Sequence, residues 1–285
     1  MNNIILYPNP QKKHISELAE NILGKLKNLG KNVLIPKEAA CIFNDCSKNN
    51  IVSLEKAYAE GELLIVIGGD GSILNKAKSA ASADIPILGV NMGTLGFLSE
   101  LEANEINLID DVVGGNFRLD ERMMLDISVE KANKTLNTVA LNEIIIARGE
   151  ISHTINVDIS SEGMTVLDFA GDGVILSTPT GSTAYSLSAG GPIVEPDAEN
   201  IIVTPICPHS INARPVVLNP NRTVSVVPYR LCDKSAYVFI DGHEKIKISE
   251  NEKVVVKKSS LKTKLVRVNN RNFYEIISKK FSGKL

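Results

Sequence analysis

The sequence is short of several things that would assign it to a class at once. Lysine and arginine total 31 against 33 aspartates and glutamates, for a formal net charge of -2. With no cationic excess to hold a polyanion, neither nucleic acid nor an anionic membrane surface is an expected partner. The four cysteines, Cys41, Cys46, Cys207 and Cys232, form no C-x-x-C pair, and the opening Met1-Asn2-Asn3-Ile4 lacks the charged and apolar regions of a secretion signal. The expected compartment is the reducing cytoplasm. No apolar run approaches the roughly 20 residues that span a bilayer, and tandem repeats and low-complexity tracts are absent. The two best-known phosphate loops are missing as well. G-x-x-x-x-G-K-[ST] does not occur, and Leu74 stands where G-x-G-x-x-G needs its third glycine.

What is present is concentrated in Leu64-Ile65-Val66-Ile67-Gly68-Gly69-Asp70-Gly71-Ser72, an apolar run that breaks into three glycines around one carboxylate. The run predicts a strand, and the following Ser72-Ile73-Leu74-Asn75-Lys76-Ala77 predicts a helix. Glycines let backbone N–H groups approach an anion, and the helix aims its positive end at the same place. Gly68, Gly69, Gly71 and Ser72 are therefore candidate phosphate-binding residues. A Gly-Asp-Gly triplet is also a common tight turn, but the strand and helix on either side favour the cradle. Asp70 adds chemistry, because a carboxylate beside phosphate is repulsive unless it binds a metal or takes a proton.

The length of 285 residues favours two domains. Up to about residue 115, short apolar runs (Ile4–Tyr7, Val33–Ile35, Leu63–Ile67, Ile85–Val90) alternate with amphipathic stretches such as Ile15–Leu29, Leu54–Ala59 and Ile73–Ala81. This predicts an α/β domain over 1–117, a doubly wound parallel sheet with ligands outside the strands' carboxyl ends. A second glycine turn, Asn91-Met92-Gly93-Thr94-Leu95-Gly96-Phe97-Leu98, follows the next strand, and Phe97 either covers a base or plugs a junction. From residue 118 to 269 the texture changes to period-two runs at Met124–Val129, Ala140–Ala147, Thr154–Ile159, Val224–Val227, Tyr237–Ile240, Lys245–Ile248 and Lys253–Val256, which predict an all-β, sandwich-like second domain. The amphipathic tail Phe273–Phe281 predicts a C-terminal helix, with residues 270–285 returning to the first domain.

The second informative block runs from Gly171-Asp172-Gly173 through Ser177-Thr178-Pro179-Thr180-Gly181-Ser182-Thr183-Ala184-Tyr185-Ser186-Leu187-Ser188 to Gly190-Gly191-Pro192. Six Ser/Thr hydroxyls between Ser177 and Ser186 offer donors to phosphate or ribose, and Tyr185 offers a ring for stacking. A Ser/Thr-rich surface loop is the plainer alternative, but such loops seldom hold so many small apolar residues.

Taken in order and over the whole length, Gly68-Gly69-Asp70-Gly71, Leu95-Gly96-Phe97-Leu98, Asn142-Glu143 and Ser177-Thr178-Pro179-Thr180-Gly181-Ser182-Thr183-Ala184-Tyr185 closely resemble bacterial NAD kinases. The glycine-aspartate loop alone is shared with lipid kinases and, loosely, with phosphofructokinases. The Thr-Pro-Thr-Gly-Ser-Thr-Ala-Tyr block is the specific part. The resemblance implies transfer of the ATP γ-phosphoryl group to the 2′-hydroxyl of the adenosine ribose of NAD, giving NADP, with Mg²⁺ or another divalent metal whose ligands the sequence does not assign. It further implies Asp70 as the base, and Asp70, Gly71, Phe97, Asn142, Glu143, His153, Asp172, Thr183, Ala184, Tyr185, Ser186, Leu187, Ser188 and His243 as residues around NAD. A homodimer or homotetramer is implied too.

The chain departs from the family at Ala170, where many members carry an arginine two residues before the aspartate; Arg148 or a neighbouring subunit is the expected substitute. His209 and Arg214 belong to a stretch expected to be structural, at a subunit contact. The rivals are a related kinase acting on a lipid or sugar alcohol, for which the chain offers no basic amphipathic helix, and a non-catalytic dinucleotide sensor or dehydrogenase, which would need neither Asp70 nor a metal.

Overall fold

Apolar runs buried on both faces lose the alternation of a half-exposed strand, and such runs build the first unit of the computed structural model. The structure describes all residues except 13, 45–49, 94–95, 150–152, 232–234 and 282–285. Leu95 of the second glycine turn, Cys46 and Cys232 thus lie outside the described residues. Two units emerge, Met1–Glu121 with Thr263–Leu285, and Arg122–Lys262.

In the first unit, β1 (Asn3–Pro8), α1 (Ser16–Asn28), β2 (Asn32–Pro36), β3 (Asn50–Val52), α2 (Leu54–Glu60), β4 (Leu63–Ile67), α3 (Asp70–Ser82), β5 (Ile87–Asn91), β6 (Leu101–Glu102) and α4 (Ile109–Gly114) follow one another. All the strand pairs are parallel, in the order β3-β2-β1-β4-β5 with β6 beside β5. The chain therefore winds outward from β1 in one direction and then restarts on its other side at β4. That places a topological switch point at the carboxyl ends of β1 and β4, where open α/β sheets bind their ligands. Helix α1 shows how the layers are held: Leu18, Ala19, Ile22, Leu23 and Leu26 are buried at helical spacing, one face turned onto the sheet. Truncating a fully buried residue such as Ile22 to alanine costs about 2–5 kcal/mol.

The second unit contains the larger part of β7 (Arg118–Lys131), then β8 (Lys134–Ala140), β9 (Glu143–Arg148), β10 (Ile155–Ser161), β11 (Met164–Gly171), β12 (Gly173–Ser177), the single turn α5 (Tyr185–Ser188), β13 (Ile201–Ile206), β14 (Val216–Leu218), β15 (Val224–Tyr229), β16 (Ala236–Ile240) and β17 (Glu244–Ile248). It also holds the first part of β18 (Lys253–Arg267). One sheet runs β14-β13-β12-β9-β16-β17, and another joins β11, β10, β15 and β18, with β7 pairing β18 and β8. Ile144, Ile146, Val174 and Leu176 of the first share a core with Val157, Val226 and Val254 of the second, which makes the unit a β-sandwich.

The chain then returns to the first unit. Leu265, near the end of β18, pairs in parallel with Ile87 of β5, and α6 (Phe273–Phe281) follows. Two details differ from the sequence expectation. The run Ala140–Ala147 is not one strand: it breaks at Leu141-Asn142 between β8 and β9, the point that carries the Asn142-Glu143 pair. Strands β12 and β13 carry no period-two signal because every residue in them is buried. Among the described residues no helix is long and apolar enough to cross a membrane.

Candidate functional site

At the switch point, β4 ends and Gly68-Gly69 lead into the first turn of α3. Asn9, just past β1, donates its amide N–H to the Ile67 carbonyl at 3.0 Å and its side-chain amide to Ser72 Oγ at 2.8 Å. The two strand ends are thereby tied together. The first N–H groups of a helix have no partner within it, and a β-carbon built on Gly69 or Gly71 meets nothing within 4 Å. The backbone is accordingly bare where an anion would approach.

Asp70 is the first residue of α3, and its carboxylate is held by the second glycine turn. Oδ2 accepts the Phe97 N–H at 2.8 Å; Oδ1 accepts the Leu98 N–H at 3.1 Å, the Ser99 N–H at 3.3 Å and the Ser99 hydroxyl at 3.4 Å. The side chain stays 30% exposed, so it is fixed without being sealed. From α6, Lys280 Nζ lies 4.0 Å from Oδ2 and 4.2 Å from the centre of the Phe97 ring, while Phe273 stands 5.9 Å from that ring.

In the second unit, the β8–β9 break is fixed from both sides. Asp241 accepts the N–H groups of Leu141, Asn142 and Glu143 at 2.7, 2.9 and 2.9 Å. It can do so because Asp241 and Gly242, both at positive φ, turn the β16–β17 hairpin back on itself. Thr178 donates its hydroxyl to the Leu141 carbonyl at 2.6 Å and its N–H to the Asn142 carbonyl at 2.9 Å. Gly181 packs so close that a β-carbon there would sit 2.1 Å from that same Asn142 oxygen.

This clamp leaves polar atoms unused. Asn142 Oδ1, Glu143 Oε2 and Ser177 Oγ are buried without hydrogen-bond partners, and Ser177 faces Glu143 directly across the β9–β12 pair. Such atoms cost about 1–3 kcal/mol each, a cost that a bound ligand relieves. Burial, reinforced by the charge of Asp241, pushes the Glu143 carboxyl up to about 8, against the pull of the Tyr185 amide. It can donate a hydrogen bond as well as accept one near neutral pH. Burial also raises Asp241 above the usual carboxylate range, opposed by its three amide bonds and by His243.

The remaining expected residues are divided between this turn and the opposite end of β9, where Gly173 pairs with Ala147. Most of the hydroxyls of the 177–186 block serve the protein itself: Thr178 as above, Ser182 with Val194, Thr183 with the Thr180 carbonyl, Ser186 with Thr204, and Thr180 receiving Arg122. Thr183, Ala184 and Leu187 are half-buried, Ser188 is exposed, and the Tyr185 side chain is 44% exposed. Asp172 is ion-paired to Arg148 at 3.0 Å, and Arg148 also donates to the His153 carbonyl at 3.4 Å. His153 and His243 are exposed. Sequence reasoning missed Asn9 and the clamping role of Asp241, although Asp241-Gly242 was legible as hairpin-turn chemistry.

A glycine-lined helix start at a switch point, with one anchored acid beside it, defines a nucleotide-phosphate-binding protein of the doubly wound class. Comparison with known proteins makes this specific. Residues 4–117 match the ATP-NAD kinase N-terminal domain and residues 141–268 the ATP-NAD kinase C-terminal domain. The NAD kinase of Natranaerobius thermophilus is 37% identical over 287 aligned positions, covering 99% of both chains; that of Lachnoclostridium phytofermentans is 36% identical over the whole of both. The chain belongs to the NAD kinase family. Among solved structures, yeast NADH kinase complexed with NADH superposes with a TM-score of 0.88 at 25% identity, covering 99% of this chain and 88% of that one. An NAD kinase from Archaeoglobus fulgidus in complex with ATP shares the fold, with a TM-score of 0.73 at 24% identity over 97% of this chain and 98% of that one.

Proposed function

We propose that this chain phosphorylates NAD to NADP with Asp70 as the base: the 2′-hydroxyl oxygen of the adenosine ribose bonds to the γ-phosphorus of ATP, the bond to the bridging oxygen breaks, ADP leaves, and the hydroxyl proton passes to Asp70. The observation that carries this is the anchoring of Asp70. Three backbone N–H groups fix a carboxylate that remains open to solvent at the head of a helix where Gly69 and Gly71 leave the backbone uncovered for phosphate. A positioned base is worth ~10²–10⁴ in rate. Gly68, Gly69, Gly71 and Ser72 hold the donor's phosphates. Asn142 and Glu143 bracket ribose hydroxyls or a base edge with the buried atoms that lack partners, and Asp172, Phe97 and the 183–188 segment complete the dinucleotide contacts.

Among the described residues no three His, Cys, Asp or Glu side chains converge as a metal cage. A divalent ion such as Mg²⁺, carried on the phosphates of ATP, would supply charge neutralisation at the transferred group. A homodimer or homotetramer is the assembly expected from the family resemblance, read by light scattering. The exposed free thiols Cys41 and Cys207 support a cytoplasmic setting.

The deciding assay incubates the protein with NAD, ATP and Mg²⁺ and measures NADP. Parallel arms replace ATP with polyphosphate and NAD with NADH, the second because the yeast relative binds NADH. NADP formation that requires ATP supports the proposal; ATP-independent or absent product under all arms defeats it.

A further inference from the structure

Arg267, at the end of β18, is buried with 8% of its side chain exposed and engages every side of its guanidinium. Nε donates to Asp120 at 3.0 Å; Nη1 donates to the Leu98 carbonyl at 3.4 Å, the Ser99 carbonyl at 3.2 Å and Glu100 Oε2 at 3.2 Å; Nη2 donates to the Phe97 carbonyl at 3.2 Å. Glu100, 4% exposed, is held in turn by the N–H groups of Val268 and Asn269.

These three carbonyls belong to the same segment whose N–H groups hold Asp70. A peptide unit is planar and trans, so its C=O and N–H point in opposite directions. In the Phe97–Leu98 and Leu98–Ser99 peptides the oxygen is gripped by Arg267 and the hydrogen is consequently aimed at Asp70. Were either plane to rotate, a carbonyl oxygen would face the carboxylate and repel it. Resting on the proposed role of Asp70, we infer that Arg267 is a positioning residue for the phosphoryl transfer, fixing the base through the two peptide planes between them. A lysine cannot do the same, because one ammonium on a flexible stem cannot span a fork of carbonyls.

The test is Arg267→Lys, alone and combined with Asp70→Asn, in steady-state kinetics with thermal unfolding alongside. The expected result for Arg267→Lys is a kcat lower by ~10–100-fold, the scale of a misplaced catalytic group, with KM for NAD and ATP held within about threefold. In the Asp70→Asn background the added substitution should change kcat by less than about threefold, since the residue it positions is already gone. A crystal structure of Arg267→Lys should show Asp70 without at least one of its amide bonds, which decides the matter if Asp70→Asn turns over too slowly to compare. If Arg267→Lys does not unfold cooperatively, Asp120→Asn, which weakens the Nε anchor, should show the same kcat-selective loss in smaller degree. Wild-type kcat in the folded variants, losses that multiply in the double variant, or unchanged Asp70 contacts would overturn the inference. Wild-type turnover in Asp70→Asn alone would instead overturn the role of Asp70.

Discussion

Gly96 stands against Asp70 so closely that a β-carbon on it would lie 1.8 Å from Oδ1 and 2.2 Å from the carboxyl carbon. Any other residue at 96 displaces either the turn or the acid. Gly96→Ala is expected to lower kcat by ~10²-fold, the loss that accompanies about 1 Å of misplacement, while NAD still binds. Stopped-flow binding and steady-state turnover separate the two, and unchanged turnover would show that Asp70 needs no such register.

Removing the charge while keeping the shape isolates the base itself. Asp70→Asn should retain most of its affinity for NAD yet lose turnover by at least ~10², the lower end for a general base. Isothermal titration with NAD, set beside an NADP-forming assay, measures both quantities.

Glu143 makes stability depend on pH in a defined direction. Its folded-state value, raised from 4.5 to about 8, lies above that of the unfolded chain. Its favourable contribution is therefore complete below pH 4.5 and is lost as pH rises from there towards 8; Asp241, also raised, acts with the same sign. At about 1.4 kcal/mol per unit the effect amounts to a few kcal/mol. Glu143→Gln should be more stable than the parent at pH 8, with the advantage gone at pH 4.5. Urea unfolding at the two pH values measures it, and parallel curves would refute the buried protonated state.

Asp241 holds the Leu141–Glu143 turn through three N–H groups, and an asparagine offers only one acceptor oxygen. With hydrogen bonds to charged groups worth about 1.5–3 kcal/mol, Asp241→Asn should raise KM for NAD by ~10-fold or more and leave kcat within a few-fold. The same change removes the charge that helps raise Glu143, so it should also flatten the stability profile between pH 4.5 and 8.

The parts of this molecule that could be read from the chain are those whose cause is local. Gly68 to Ser72 declare a strand end and a helix start within a few residues, and the Phe273–Phe281 helix shows its own face. The lock on Asp70 was not legible, because its partners lie 27 to 29 positions away and act through backbone N–H groups that any sequence possesses. Arg267 is hidden for the same reason, as its acceptors are carbonyls 168 to 170 positions distant. The hydroxyls from Ser177 to Ser186 looked like ligand donors by type, yet most satisfy neighbouring backbone and side chains, a distinction only geometry makes. Ala140–Ala147 alternated well enough to read as one strand, and its break at Asn142 follows from Asp241 and Thr178, contributed by remote parts of the chain.

Strand β18 begins in one unit and ends in the other, and this sets a timetable for the protein's birth. A ribosome must translate the whole of 122–262 before Arg267 exists to fasten the peptides behind Asp70. Through that interval the nascent amino-terminal segment holds Asp70 with amides whose peptide planes are not yet gripped from behind, so the full precision of the site arrives late in synthesis, and a chain terminated just before β18 would lack it.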